Sequence, residues 1–145
     1  MKLIVISGWA TPVEALTSFI KNLSRLFQIQ VYAISDLMGN ISSPEGSNKL
    51  DLPSPSEFAE NLAEKLKIES DPCWLAGFSM GGMIALEAAC WNSDKILGLI
   101  LAGTTPSFCI REGFAYGKPV ESVRALSLNL FKDAQMVLSR FYEQV

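Results

Sequence analysis

Residues 72–91, PCWLAGFSMGGMIALEAACW, constrain this chain more than any other stretch. The first part is an apolar run that reads as a buried strand, and the second reads as a helix. Between them stands Gly77-Phe78-Ser79-Met80-Gly81, the G-x-S-x-G pattern. A strand that turns so abruptly into a helix leaves no room for side chains on its inner side. A β-carbon at Gly77 or Gly81 would crowd the adjacent strand or helix. Such an elbow lifts the Ser79 hydroxyl out of the sheet. It also aims the Met80 backbone N–H and the positive helix N-terminus at any oxygen that develops negative charge there. Ser79 is therefore a candidate nucleophile. The competing reading is an ordinary glycine-rich turn with Ser79 as the helix N-cap.

The remaining pattern extends this unit into a layered fold. LIVIS (3–7) is a continuous β-branched run, as in a strand buried on both faces. The following segment to Phe27 has helical spacing at Val13, Leu16, Phe19, Ile20, Leu23, Leu26 and Phe27. Thr11, Pro12 and Glu14 predict its capped start. IQVYAIS (29–35) is a second strand, and residues 37–55, rich in Gly, Ser, Pro and Asn, form a long loop. Ser54, Pro55 and Glu57 repeat the capping signal before a helix with Phe58, Leu62 and Leu66 on one face. ILGLILAG (96–103) is a fourth strand. Alternation of strands and helices predicts an α/β fold with a parallel sheet and helices on both faces; the strand order expected is 29–35, 3–7, 72–79, 96–102. The character changes near residue 110. Residues 1–109 read as the sheet-bearing part, and residues 110–145 as two helices, about 120–131 and 132–143.

Composition narrows the function. A chain of 145 residues, 49% hydrophobic, suits one core, and a net charge of −3 argues against nucleic acid or an anionic membrane as partner. No apolar run approaches the ~18–20 residues of a membrane span, and the amino-terminal run is too short for a signal-peptide core. Cys73, Cys90 and Cys109 are odd in number, lack CxxC spacing and have no histidine beside them, because the chain contains none. They read as small buried hydrophobes in a reducing cytoplasm, with neither a metal nor another cofactor expected. In SGWA (7–10), after the first strand, the Trp9 N–H could serve as a second oxyanion donor, with the Trp9 ring walling a pocket. Equally, Gly8 merely turns the chain and Trp9 is core.

Strand, SGW, helix, a strand ending in DLMG, then GFSMGG and ILGLILAGTTPSF together resemble the front half of an α/β-hydrolase. The resemblance is nearest to the pimeloyl-acyl-carrier-protein methyl ester esterases of biotin synthesis, and it runs into residues 110–145 as the start of a helical cap. It implies a serine carboxylesterase acting on a small ester or an acyl-carrier-protein-linked ester. Ser79 would be the nucleophile, Trp9 and Met80 the backbone oxyanion donors, and Phe78 with Trp9 the border of the acyl channel. Asp36, at a strand end, reads as structural. Ser7 stands where the family usually has a histidine that is not the catalytic base.

That family orders its triad as Ser, then Asp or Glu, then His. This chain has no histidine, and Asp71, Asp94, Asp133 and Lys95 do not fit the missing places. The expectation is a truncated chain, inactive alone, that pairs with a complementary carboxyl-terminal fragment or self-associates. The rival is a non-catalytic binding fragment of the same fold; a third reading is a relative with acyltransferase or haloperoxidase-like chemistry. Basic cap residues would grip an acidic carrier protein. However, Arg111, Lys118, Arg124, Lys132 and Arg140 face Glu112, Glu121, Asp133 and Glu143, so a generic solvated helix face is the alternative.

Overall fold

The computed structural model describes residues 1–38 and 55–143. Most of the expected 37–55 loop, including the Ser54 cap, lies outside them. The chain divides into one unit of Met1–Thr105 and a second of Pro106–Val145.

The first unit is built on four strands, β1 (Lys2–Ile6), β2 (Gln28–Tyr32), β3 (Cys73–Phe78) and β4 (Ile96–Ala102). They form one sheet in the order β2-β1-β3-β4, every pair parallel, as the alternation predicts. Leu3 to Ser7 are buried, as the β-branched run requires of a central strand. One face carries helices α2 (Pro55–Lys67) and α3 (Met80–Trp91). Phe58, Leu62 and Leu66 of α2 and Ile84, Ala85 and Ala88 of α3 join Ile4, Ile6, Cys73 and Leu75 in one buried cluster. The other face carries α1 (Thr17–Leu23), over a smaller cluster of Leu3, Val5 and Ala76.

Of the three cysteines read as buried only Cys73 is, Cys109 being half-buried and Cys90 exposed on α3. Two expectations of local secondary structure also fail, for identifiable reasons. Thr11 and Glu14 form no capping box: Thr11 Oγ1 turns back to the Trp9 carbonyl at 3.3 Å. Pro12 occupies the N-cap of a short 3₁₀ turn, Val13–Leu16, and regular α-helix begins only at Thr17. The second strand stops at Tyr32 rather than 35. A 3₁₀ turn over Ile34–Leu37 follows, and the Asp36 carboxylate accepts the Ala33 N–H at 2.8 Å, the structural role expected of it.

The second unit holds α4 (Val120–Lys132) and α5 (Ala134–Tyr142), preceded by isolated bridges Cys109–Lys118 and Arg111–Phe114. Asp133 separates the helices and caps the second, accepting the Met136 N–H at 2.9 Å. Among the described residues no helix is long and apolar enough to cross a membrane.

Candidate active site

The carboxyl ends of β1 and β3 lie side by side, with Ile6 paired to Gly77. Each runs into a tight turn. After β1, the Thr11 N–H donates to the Gly8 carbonyl at 3.2 Å, and Ala10, third in that turn, has φ 53°. A positive φ at this position is the mark of a type II turn, here without the usual glycine. After β3, Ser79 has φ 53° and ψ −120°. Ala10 and Ser79 are the non-glycine residues with positive φ among those described. Such conformations cost on the order of 1–3 kcal/mol each and collect at functional sites.

Ser79 sits at the N-cap position of α3, but its side chain makes no capping hydrogen bond. The N-cap reading therefore explains its position and not its geometry. The backbone around it is held instead. Ser79 N–H donates to the Ala102 carbonyl at 2.9 Å. The Ser79 carbonyl accepts the Thr104 hydroxyl at 2.7 Å and the Gly82 N–H at 3.0 Å.

The elbow glycines have the steric reason read from the sequence. A Cβ at Gly77 would overlap the backbone of Gly81 and Gly82 in the first turn of α3. One at Gly81 would overlap the Ile6 and Ser7 carbonyls at the end of β1. The helix thus starts directly on top of the two central strands, with its N-terminal turn at their carboxyl ends. The two turns also meet: a Cβ on Gly8 would lie 3.0 Å from the Phe78 ring and 3.1 Å from its carbonyl oxygen. Trp9 and Met80 are both half-buried in these touching turns.

Phe78 is 41% exposed and lines a groove of about 180 Å³ with Val5, Leu16, Phe19, Ala76, Gly77, Ile100 and Ala102. The groove is wholly apolar in residue type and opens on the α1 face. Trp9 is not among its lining residues.

The charged groups weighed against the missing base lie elsewhere in the first unit. Lys95 Nζ donates to the Glu69 carbonyl at 3.0 Å, and Lys2 pairs with the Glu69 carboxylate at 2.6 Å. These residues cluster beside the amino ends of β1 and β3, the far end of the sheet from Ser79. Asp71 precedes β3 and lies at that end too. Sequence reading missed the part played by Ala102 and Thr104, whose signal was only a Thr-Thr-Pro following the last strand.

A family model described as the alpha/beta hydrolase fold matches residues 3–133. The pimeloyl-acyl-carrier-protein methyl ester esterase of Nitrosospira multiformis is 27% identical over 140 residues, covering 96% of this chain and 52% of its own length. The protein of the same name in Nitrosomonas europaea is 26% identical over 139 residues, covering 96% and 51%. The chain spans about half the length of the curated relatives it matches. Among solved structures, an N-formylmaleamic acid deformylase from Pseudomonas putida superposes with a TM-score of 0.54 at 25% identity, over 69% of this chain and 37% of that one. A bacterial membrane phospholipase A shares the fold with a TM-score of 0.56 at 24% identity, over 72% and 32%. With its parallel sheet, strand–elbow–helix turn and matched sequence, this chain belongs to the alpha/beta hydrolase fold family.

Proposed function

We propose that this chain carries the nucleophile and oxyanion donors of a carboxylester hydrolase that works through an acyl-enzyme on Ser79. The observation that carries this reading is the Ser79 backbone, φ 53° and ψ −120°, between β3 and α3 with the side chain not used as a cap. Ser79 Oγ adds to the ester carbonyl carbon and gives up its proton to a base. The carbonyl oxygen takes the negative charge and is met by the Met80 and Trp9 N–H groups. Collapse expels the alcohol, which takes the proton. Water then cleaves the acyl-enzyme by the same route, releasing the acid and restoring Ser79.

The base is the missing part. Residues 1–145 contain no histidine, so the imidazole must come from polypeptide outside them. In triads of this type, loss of the base lowers the rate by on the order of 10⁴–10⁶. The relatives named as pimeloyl-acyl-carrier-protein methyl ester esterases support a methyl ester of a carrier-bound acyl chain as substrate, methanol being the alcohol released. Phe78 and Trp9 border the acyl chain in this reading. A complementary fragment bearing an acid and a histidine would also cover the outer edge of β4, where Leu97 is 53% and Leu101 39% exposed in an uncharged strand.

The test is reaction with a fluorophosphonate probe and a p-nitrophenyl ester, for this chain alone and co-expressed with the carboxyl-terminal half of a relative. Slow labelling of the chain alone, and fast labelling with ester turnover in the complex, both lost in Ser79→Ala, are expected. Rapid stoichiometric labelling of the chain alone would reject the missing-base argument. A complex that forms but stays inert would favour a binding fragment. Sedimentation of the chain alone reports the edge: self-association is expected, and a stable monomer at high concentration counts against an uncovered β4.

A further inference from the structure

We propose that Thr104 is a positioning residue for Ser79, acting through the Ser79 carbonyl. This rests on the reading of Ser79 as nucleophile and goes beyond the elbow motif itself, which lies 23 or more residues earlier in the chain. The Ser79 peptide is gripped from both sides by one short segment. Ala102, the last residue of β4, accepts the Ser79 N–H at 2.9 Å, and the Thr104 hydroxyl donates to the Ser79 carbonyl at 2.7 Å. The helix's own bonds to that carbonyl are longer, from Gly82 N–H at 3.0 Å and Met83 N–H at 3.4 Å. The Thr104 hydroxyl therefore makes the shortest of the three hydrogen bonds to that carbonyl, and it is the one that comes from outside the helix.

Two further residues fit this clamp. Gly82 is not a required glycine of G-x-S-x-G. Yet a Cβ there would lie 2.6 Å from Thr104 Oγ1 and 2.7 Å from Thr104 Cβ, so the glycine makes room for the threonine. Gly103 has φ 58°, a left-handed turn that reverses the chain between Ala102 and Thr104. Strand end and hydroxyl donor meet the N–H and the carbonyl of Ser79, with the left-handed Gly103 between them in the chain and Gly82 leaving room for the hydroxyl. A strained residue persists only when its surroundings over-determine it, and these contacts hold the turn that orients the Ser79 side chain and the Met80 N–H.

The experiment uses the full chain carrying Ser79→Cys, with alkylation at position 79 by iodoacetamide followed by peptide mass spectrometry across pH. The introduced thiol reports the same field without needing a histidine. At an intact elbow its ionisation midpoint lies below that of a free cysteine. Adding Thr104→Val should raise the midpoint and slow alkylation at neutral pH about two- to fivefold, the size of a helix-terminus effect. Thr104→Ser should restore both. An unmoved profile in Thr104→Val, or no rescue by Thr104→Ser, overturns the clamp while leaving the elbow reading intact. An ordinary midpoint with Thr104 present rejects the elbow reading and the clamp with it. Amide exchange separates local from global effects: loss of protection at Gly82 and Met83 alone supports the clamp, and equal loss at Leu75 overturns it.

Discussion

The two faces of the sheet are covered unequally. On one, α2 and α3 lie side by side, and Leu62, Leu66, Leu75, Ile84, Ala85 and Ala88 are all 0% exposed. On the other, α1 has seven residues, none of them buried, and Leu16, Leu23, Phe27 and Ile100 are only partly covered. A helix is about 10 Å wide and strands lie about 4.8 Å apart, so one helix covers roughly two strands. Two helices close the middle of the first face, leaving Tyr32, Ile96 and Leu99 partly covered and Leu101 39% exposed toward its sides, and a single helix leaves even the middle of the other face incompletely covered. The Trp74 ring lies against Gly98 and covers part of the remainder; the apolar groove beside Phe78 is the rest. The chain thus has one face with a closed centre and one with an apolar groove at its centre, exposed surface of the kind that marks an interaction site. The candidate nucleophile sits at the junction, its helix packed on the closed face and the residue before it lining the open groove.

The largest expected effect comes from separating α3 from the sheet. Gly81→Ala places a methyl group into the Ile6 and Ser7 carbonyls, backbone that cannot swing aside. Loss of the cooperative melting transition in circular dichroism is expected; a variant melting within a few degrees of the parent would refute the close approach of helix and strand.

A smaller effect compares the faces directly. Leu62→Ala on the closed face should cost about 2–5 kcal/mol by urea denaturation, the range for a fully buried leucine. Ile100→Ala, on the open face and only half-buried, should cost roughly 1 kcal/mol or less because much of its surface already meets water. Equal costs would mean that the α1 face is closed in solution, by self-association or by a partner.

The smallest effect is one of pH, and it belongs to the closed face. Burial, helped by the nearby Glu69 carboxylate, raises the Cys73 thiol above its ordinary 9.0. The folded chain then keeps a proton that the unfolded chain loses first. Stability is full below about pH 9 and falls as pH rises toward the folded value. Tyr32, packed against the same cluster, is also raised by burial and acts in the same direction above about pH 10. Cys73→Ala should flatten the decline of the urea midpoint as pH rises above about 9; an unchanged slope would exclude Cys73 as its source.

Much of the fold was legible because it is encoded by local period. The four strands, their parallel pairing and the helices at 55–67 and 80–91 follow from alternating apolar runs and helical spacing, and the right-handed crossover limits the strand orders that can connect them. The elbow was legible because glycine at 77 and 81 has a short-range steric reason. Errors arose where two local rules competed. Thr11 had the chemistry of a cap, but the Gly8–Thr11 turn drew its hydroxyl toward Trp9, and the helix started late.

The order of strands and helices, the position of the serine and the lack of an imidazole are properties of this sequence alone, fixed by neighbours within a few residues or by composition. Only tertiary structure decided that Ser79 and Ala10 keep a positive φ without being glycine. Only it brought residues 102–104 back onto the Ser79 peptide and left one face of the sheet thinner than the other. Contacts of that kind join groups far apart in the chain. Their geometry is set by packing density and by which backbone groups remain to be paired, and no run of a few residues contains that information.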